Sequence, residues 1–164
     1  MKNILLLILL FGCNTSSNNQ EAFKKTKEID FTFDSGWKDM FSMKINSHGE
    51  CVIGDGRWSV KYSKGQLSKL NLNTLDSMIE SIPFSKYDSS YYEDIVDQSS
   101  YKIVIIDKNN DTTVKFVYGK VGPQLLNDLS NQLRTIKENI KAIKTDTIID
   151  FISRRNFSPP AIKS

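Results

Sequence analysis

The chain has 164 residues, with 22 basic and 19 acidic side chains and a formal net charge of +3. This near balance, without a concentrated basic patch, argues against a nucleic-acid-binding protein. The length is sufficient for one domain with its own hydrophobic core, so no internal disulfide is needed to hold it together.

Residues 1–12 are predicted to be a signal peptide. Lys2 gives the segment a positive start, and eight apolar residues follow from Ile4 to Phe11. A membrane-spanning helix needs about 18 apolar residues, so this stretch suits a removable leader and is too short for a permanent span. The alternatives are an ordinary signal peptide without lipidation and a buried N-terminal strand with a chance cysteine.

The residues that end this leader, Leu10-Phe11-Gly12-Cys13, resemble the lipobox of bacterial lipoproteins. The resemblance implies cleavage before Cys13 and attachment of a diacylglyceryl group to its thiol. Stable anchoring takes two membrane-binding signals, and two or three acyl chains on one cysteine meet that requirement. Cys13 is therefore predicted to be a lipidation site that fixes the protein to a membrane.

Residues 13–28 are predicted to be the lipidated cysteine and a flexible tether. Residues 14–20 are only Asn, Thr, Ser and Gln, which cannot bury apolar surface. In many Gram-negative lipoproteins, an aspartate after the lipidated cysteine retains the protein in the inner membrane. Asn14 stands at this position, so the resemblance implies the outer membrane. No acidic cluster follows Cys13, which favours the periplasmic face.

Residues 29–144 are predicted to form one domain that contains two β-hairpins. Alternating apolar residues indicate strands, and turn residues separate them at 47–49 and 108–111. Gly54-Asp55-Gly56 predicts a bulge or tight bend. The alternating residues are Phe31 and Phe33; Phe41, Met43 and Ile45; Cys51 and Ile53; Trp58, Val60 and Tyr62; Tyr101, Ile103 and Ile105; and Val114, Phe116 and Tyr118.

Two helices are predicted from apolar residues at helical spacing. The first contains Leu72–Ile82, is capped by Asn71 and stops at Pro83. The second starts at Pro123, and its stripe is Leu126, Leu129, Leu133, Ile136, Ile140 and Ile143. Residues 145–164 are predicted to form a short third helix and a tail.

The resulting order is ββ(β)α-ββα. It predicts an α+β fold in which two hairpin-helix units build an antiparallel sheet, the helices pack on one face, and a short C-terminal helix follows.

Several ordered landmarks resemble a domain family of unknown function found in Bacteroidota-type lipoproteins. They are the lipobox, the Phe-rich first strand, Ser47-His48-Gly49, the glycine-containing second strand, the Leu72–Ile82 helix, Phe84-Ser85-Lys86-Tyr87, and Val114–Tyr118 before a Pro-started helix. The resemblance covers about residues 29–140. Members often carry a cysteine pair near the first strand, where this chain has Gly36-Trp37-Lys38-Asp39. The resemblance implies an envelope location and a fold, and it supplies no catalytic residue.

Few residues suggest catalysis or metal binding. His48 lies in a predicted turn, and Cys51 lies among apolar residues that suit a buried side chain. One histidine and one free cysteine fall short of a zinc site. Asp107–Asp111 begins like a calcium loop, but Thr112 and Tyr118 stand at the glycine and glutamate positions. No cofactor or metal is predicted.

The segment from Phe84 to Asp97 is the candidate interaction loop, because a loop this long is uncommon in a compact domain. Tyrosines suit an interface, and the acids could form its rim. One alternative is that the aromatic residues cover the edge of the sheet; another is a hydrolase that uses a pair of these carboxylates. The candidate interaction residues are Tyr87, Asp88, Tyr91, Tyr92, Glu93, Asp94 and Asp97.

The predicted function is that of a non-enzymatic, membrane-anchored lipoprotein that binds another envelope protein. One alternative is an inhibitor or immunity protein directed against an envelope hydrolase. Another is a carboxylate-dependent glycan or peptide hydrolase. The sequence leaves the partner and the oligomeric state open.

Overall fold

The structure is a computed structural model that describes residues 23–157. The predicted signal peptide (1–12), Cys13 and most of the predicted tether lie outside the described residues, as do residues 158–164. Within the described part, the chain packs earlier than the predicted domain boundary at 29, since Phe23 is buried and the first strand begins at Thr26. No helix in this part is long and apolar enough to cross a bilayer.

The described chain forms one eight-stranded sheet and two α-helices, which confirms the predicted α+β class. The strand order is β5-β7-β6-β1-β2-β3-β4-β8, and all neighbours are antiparallel except β5 and β7. The strands are β1 Thr26–Asp34, β2 Met40–Asn46, β3 Glu50–Asp55, β4 Lys61–Gln66, β5 Ser90–Tyr92, β6 Ser100–Asp107, β7 Thr112–Tyr118 and β8 Ile143–Lys144.

Helix α1 spans Lys69–Ser81, and helix α2 spans Gln124–Asn139. The cap of α1 is Ser68, whose hydroxyl accepts a hydrogen bond from the Asn71 amide at 3.2 Å, so the prediction of Asn71 as the cap is wrong by one turn. Helix α2 ends before Ile140, and Ile143 belongs to β8. The predicted third helix is limited to one 3-10 turn at Ile152–Arg154.

Both helices contribute to one core on a single face of the sheet. On β1, β2, β3 and β6 the core-facing residues alternate as predicted, and they pack against Leu72 and Leu75 of α1 and the stripe of α2. On β7 the prediction is wrong, because Val117 faces this core and Phe116 lies against Phe157 on the other face. The arrangement in two hairpin-helix units is not confirmed. Four strands precede α1. Strand β1 pairs with both β2 and β6, so the strands before α1 and the later β6–β7 hairpin are joined through this one central strand.

The C-terminal segment (residues 148–157) crosses the other face of the sheet. Just before it, the Thr145 amide donates to the carbonyl of Tyr62 on β4 at 3.1 Å. Phe151 then stacks on the Tyr62 ring with 6.4 Å between centroids. At the far side, Phe157 lies edge-on to Phe116 of β7 at 5.6 Å. This segment therefore spans the sheet from β4 to β7.

Candidate functional site

Four loops meet at one end of the sheet, opposite the point where the described chain begins. At the beginning, the Phe23 amide donates to the carbonyl of Ser47 in the β2–β3 turn at 2.9 Å. The nine residues of β1 then carry the chain about 30 Å along the sheet. The loops at the far end, called the distal loops below, are residues 35–39, 56–60, 93–99 and 119–123.

The distal loops contact one another. Arg57 donates to the Gly36 carbonyl at 3.0 Å and to the Asp34 carboxylate at 2.5 Å, which joins the first two loops. The Lys120 amide donates to the carboxylate of Glu93 at 2.9 Å, which joins the other two. A Cβ added at Gly36 would lie 3.2 Å from the carbonyl oxygen of residue 97, so the two pairs of loops also touch. The four loops therefore form one continuous surface.

This surface exposes large apolar side chains. Trp37 is 76% exposed and Trp58 is 93% exposed. The same loops expose Ile95, Val96 and Val121. Single exposed apolar residues are ordinary, whereas a group of them on adjoining loops is typical of an interaction site.

The C-terminal segment supports the distal loops from below. The Arg154 guanidinium donates to the carbonyls of Gly56 and Arg57, at 2.7 and 2.8 Å. These carbonyls directly precede Trp58 in the chain. The other terminal nitrogen of Arg154, Nη1, is buried and has no hydrogen-bond partner among the described residues. Arg154 thus fixes the backbone that presents Trp58.

The tyrosines of the candidate interaction loop lie along the sheet edge. Tyr91 and Tyr92 belong to β5, and Tyr91 and Tyr87 pack against the core. The Tyr91 hydroxyl accepts the Asp88 amide at 2.9 Å, and the Tyr87 carbonyl accepts the ammonium of Lys115 at 2.5 Å. Of the three rings, that of Tyr92 is the exposed one, and it lies 5.5 Å from Phe116.

The acids of that segment are divided between two places. Asp88 lies on the edge side, whereas Glu93, Asp94 and Asp97 belong to the distal loops. Asp94 and Asp97 are exposed and flank Ile95 and Val96. Asp97 adopts a positive φ of 61°, a conformation that aspartate tolerates better than most residues do. The structure thus separates the tyrosines from most of the carboxylates.

The exposure of two tryptophans on adjoining loops was not predicted from the sequence. Trp58 and Val60 were predicted to continue a strand, but β4 begins at Lys61 and Trp58 lies in the preceding turn. A glycine with positive φ precedes each tryptophan: Gly36 at 86° and Gly56 at 109°. A glycine one or two residues before each tryptophan was the signal that could have placed them at turns.

Other candidates for chemistry lie away from the distal loops. His48 is exposed in the β2–β3 turn at the opposite end of the sheet. Cys51 is buried in the core, and burial raises the pKa of its thiol to about 12. Within residues 23–157, no group of three or more His, Cys, Asp or Glu side chains is placed to hold a metal ion.

Comparison with protein-family models and with curated proteins found no match to this sequence. The resemblance to the Bacteroidota-type lipoprotein domain family therefore stays a prediction.

Proposed function

We propose that this protein is a lipid-anchored component of the bacterial cell envelope that acts by binding another envelope protein. The observation that carries this proposal is the opposed placement of the N-terminal end of the domain and the apolar distal loops. A protein tethered at its N-terminus would present these loops away from its own membrane, where a partner can reach them. Exposed groups of apolar side chains on a small domain suit that role.

The anchoring half of the proposal rests on Cys13 and the leader before it. The leader is followed by a polar stretch that would let the domain move relative to the bilayer. Asn14 after the cysteine favours the outer membrane, with the domain in the periplasm. Acyl chains on Cys13 would provide stable attachment without a membrane-spanning helix.

Binding rather than catalysis is supported by how the candidate side chains are used. The Cys51 thiol is buried, and His48 is at the opposite end from the distal loops. Glu93 accepts a hydrogen bond from the Lys120 amide and holds two loops together. Asp88, Asp94 and Asp97 face solvent. The acid catalysts of hydrolases lie in apolar surroundings shielded from water, whereas these three carboxylates are open to it.

The anchoring is tested on the full chain expressed in a Gram-negative host. We expect the mature protein to begin at Cys13, to carry the mass of the acyl groups, and to fractionate with the outer membrane. The Cys13→Ser variant should retain the leader or appear in the soluble fraction. A wild-type mass without added lipid would contradict the proposal.

The non-catalytic role is tested with single substitutions of the acids: Asp88→Asn, Glu93→Gln, Asp94→Asn and Asp97→Asn. We expect no hydrolysis of envelope glycan or peptide by the wild type. Should the wild type hydrolyse either substrate, and one substitution abolish that turnover while the fold is retained, the protein is a hydrolase and the binding role is wrong.

A further inference from the structure

We infer that Trp37 and Trp58 are the centre of a preorganised docking site for a protein partner that offers an apolar cleft bordered by basic side chains. The inference rests on the proposed function and specifies where and how the partner binds.

The two indoles supply enough area to act as anchors. A tryptophan can bury about 150–250 Å² when it is covered, and a standard interface buries about 800 Å² on each partner. Two fully covered indoles would therefore provide roughly half of one side of such an interface. Tryptophan is also enriched among the residues that contribute most to binding energy.

The backbone beside both indoles is held in place. Arg57 donates to the carbonyl of Gly36, the residue before Trp37. Arg154 donates to the carbonyl of Arg57, the residue before Trp58. A partner would therefore need to order the side chains but not the loops, and less conformational entropy would be lost on binding.

The charges of the distal loops favour a protein over a lipid surface. The acidic residues are Asp39, Glu93, Asp94 and Asp97, and the basic residues are Lys38, Arg57 and Lys120. Arg57 is already paired with Asp34. Attraction to anionic lipids requires a surplus of basic residues, which these loops lack. Asp94 and Asp97 beside Ile95 and Val96 instead suit a cleft with Lys or Arg at its margin.

The position of the N-terminus disfavours a second copy as the occupant. Two copies joined through their distal loops would point their N-termini in opposite directions. Residues 13–22 could span at most about 35 Å when fully extended, which is only about the length of the sheet. If the axis joining the copies stood perpendicular to the membrane, as in the orientation of the proposed function, the N-terminus of the outer copy would lie two sheet lengths from the lipid, beyond the reach of this tether.

The test is site-specific photo-crosslinking of the full-length acylated protein in its native host. The photoreactive residue p-benzoylphenylalanine replaces Ser59, which is exposed next to Trp58, so both indoles are kept. Matched control positions are Leu70 on α1 and His48, which are also exposed but lie away from the distal loops. We expect one discrete protein adduct at position 59 and none at either control position.

Further measurements connect the adduct to the indoles. Trp37→Ala or Trp58→Ala should each lower the yield of the position-59 adduct by about tenfold or more, while Leu70→Ala leaves it unchanged. Because both indoles are exposed, the thermal unfolding temperature of these variants should stay at the wild-type value. Peptide mapping of the adduct should place the crosslink beside apolar and basic side chains of the partner.

Other results would overturn the docking site. They are an adduct of twice the chain mass, a crosslink to residues 158–164 of the same chain, binding to vesicles of phosphatidylethanolamine and phosphatidylglycerol through the tryptophans, or a yield that both alanine variants leave unchanged. Protein adducts at the control positions alone would overturn this site and leave the proposed function standing. No protein adduct at any surface position, with the lipid attached, would remove the proposed function as well.

Discussion

The hydroxyl of Ser153 donates a hydrogen bond of 2.5 Å to the carboxylate of Asp30, a fully buried residue of the central strand β1. The Ile152 amide donates to the same carboxylate at 2.7 Å. The Ser153 oxygen also lies 2.6 Å from the hydroxyl of Thr32. This contact attaches the C-terminal segment to the middle of the sheet, and through Arg154 it reaches the loop that carries Trp58.

Removal of the Ser153 hydroxyl should destabilise the domain. In Ser153→Ala, the buried groups of Asp30 and Thr32 lose a partner, so we expect the free energy of unfolding to fall by about 1–3 kcal/mol. Urea unfolding followed by circular dichroism measures this. The control is Ser85→Ala at an exposed serine, which should change little. Equal stability of the two variants would show that the Ser153 contact is dispensable.

The stability contributed by Asp30 should depend on pH. Burial raises the pKa of Asp30 above the ordinary 3.8, and this outweighs the hydrogen bonds from Ser153 and Ile152 and the charge of Lys44. Between the ordinary and the raised pKa, the folded state therefore binds more protons than the unfolded state does. The contribution of Asp30 to the free energy of unfolding is therefore complete below the ordinary pKa. It decreases as the pH rises through the raised pKa.

Urea unfolding of the wild type and Asp30→Asn between about pH 3 and pH 8 tests this dependence. The advantage of the wild type in free energy of unfolding should be largest at low pH and should shrink as the pH rises. Asp146→Asn, at an exposed aspartate, is the control. A wild-type advantage that grows with pH would mean that the pKa of Asp30 is lowered, contrary to this prediction.

Cys51 should be unreactive in the folded protein. Its thiol is buried, with a pKa raised to about 12, so at about pH 8 it is neither accessible nor ionised. A chain that begins at residue 14 should react with a thiol reagent only slowly without urea and rapidly when unfolded. Introducing Ser85→Cys should add one fast-reacting thiol. Fast reaction of Cys51 in the native chain would contradict its burial.

The loop that carries Trp58 should depend on Gly56. This residue has a φ of 109°, and an added Cβ would meet the backbone carbonyl of Ser59. Gly56→Ala should therefore lower the free energy of unfolding by about 1–3 kcal/mol. Amide hydrogen exchange at residues 57–60 should become faster. Ser59→Ala in the same loop is the control, and if it had an equal effect, the cause would not be the backbone conformation.

Arg154 should stabilise the same loop through its two carbonyl contacts. Arg154→Lys keeps the charge but loses the planar guanidinium that donates to both Gly56 and Arg57. We expect a loss of about 2 kcal/mol in the free energy of unfolding and faster amide exchange at residues 57–60. Arg155→Lys is the matched control, because Arg155 is exposed. Unchanged exchange in Arg154→Lys would remove the basis for a preorganised loop.

The core face of the sheet was predictable from local spacing. Phe31, Met43 and Ile103 alternate with polar residues, and the stripe of α2 recurs every three or four residues. Such patterns depend on the geometry of single strands and helices. For that reason the α+β class could be predicted from the sequence, as could most of the residues that form the strands of the two hairpins.

The other face of the sheet could not be predicted in the same way. Asp30, Thr32 and Ser42 are polar and alternate with core residues, a pattern typical of a solvent-exposed face. The structure buries them because Ser153, more than 100 residues later, covers them. Local periodicity carries no record of a contact this distant. For the same reason, the support that Arg154 gives to the Trp58 loop could not be foreseen.

Both outer strands of the sheet are very short. At one edge β5 has three residues, and at the other β8 has two. Long uncovered edges are templates on which further strands can add, and short edge strands are one way in which proteins prevent this. If the chain is anchored as proposed, its copies would meet one another in the plane of the membrane far more often than in solution. Edges this short would then give neighbouring copies little backbone on which to add strands.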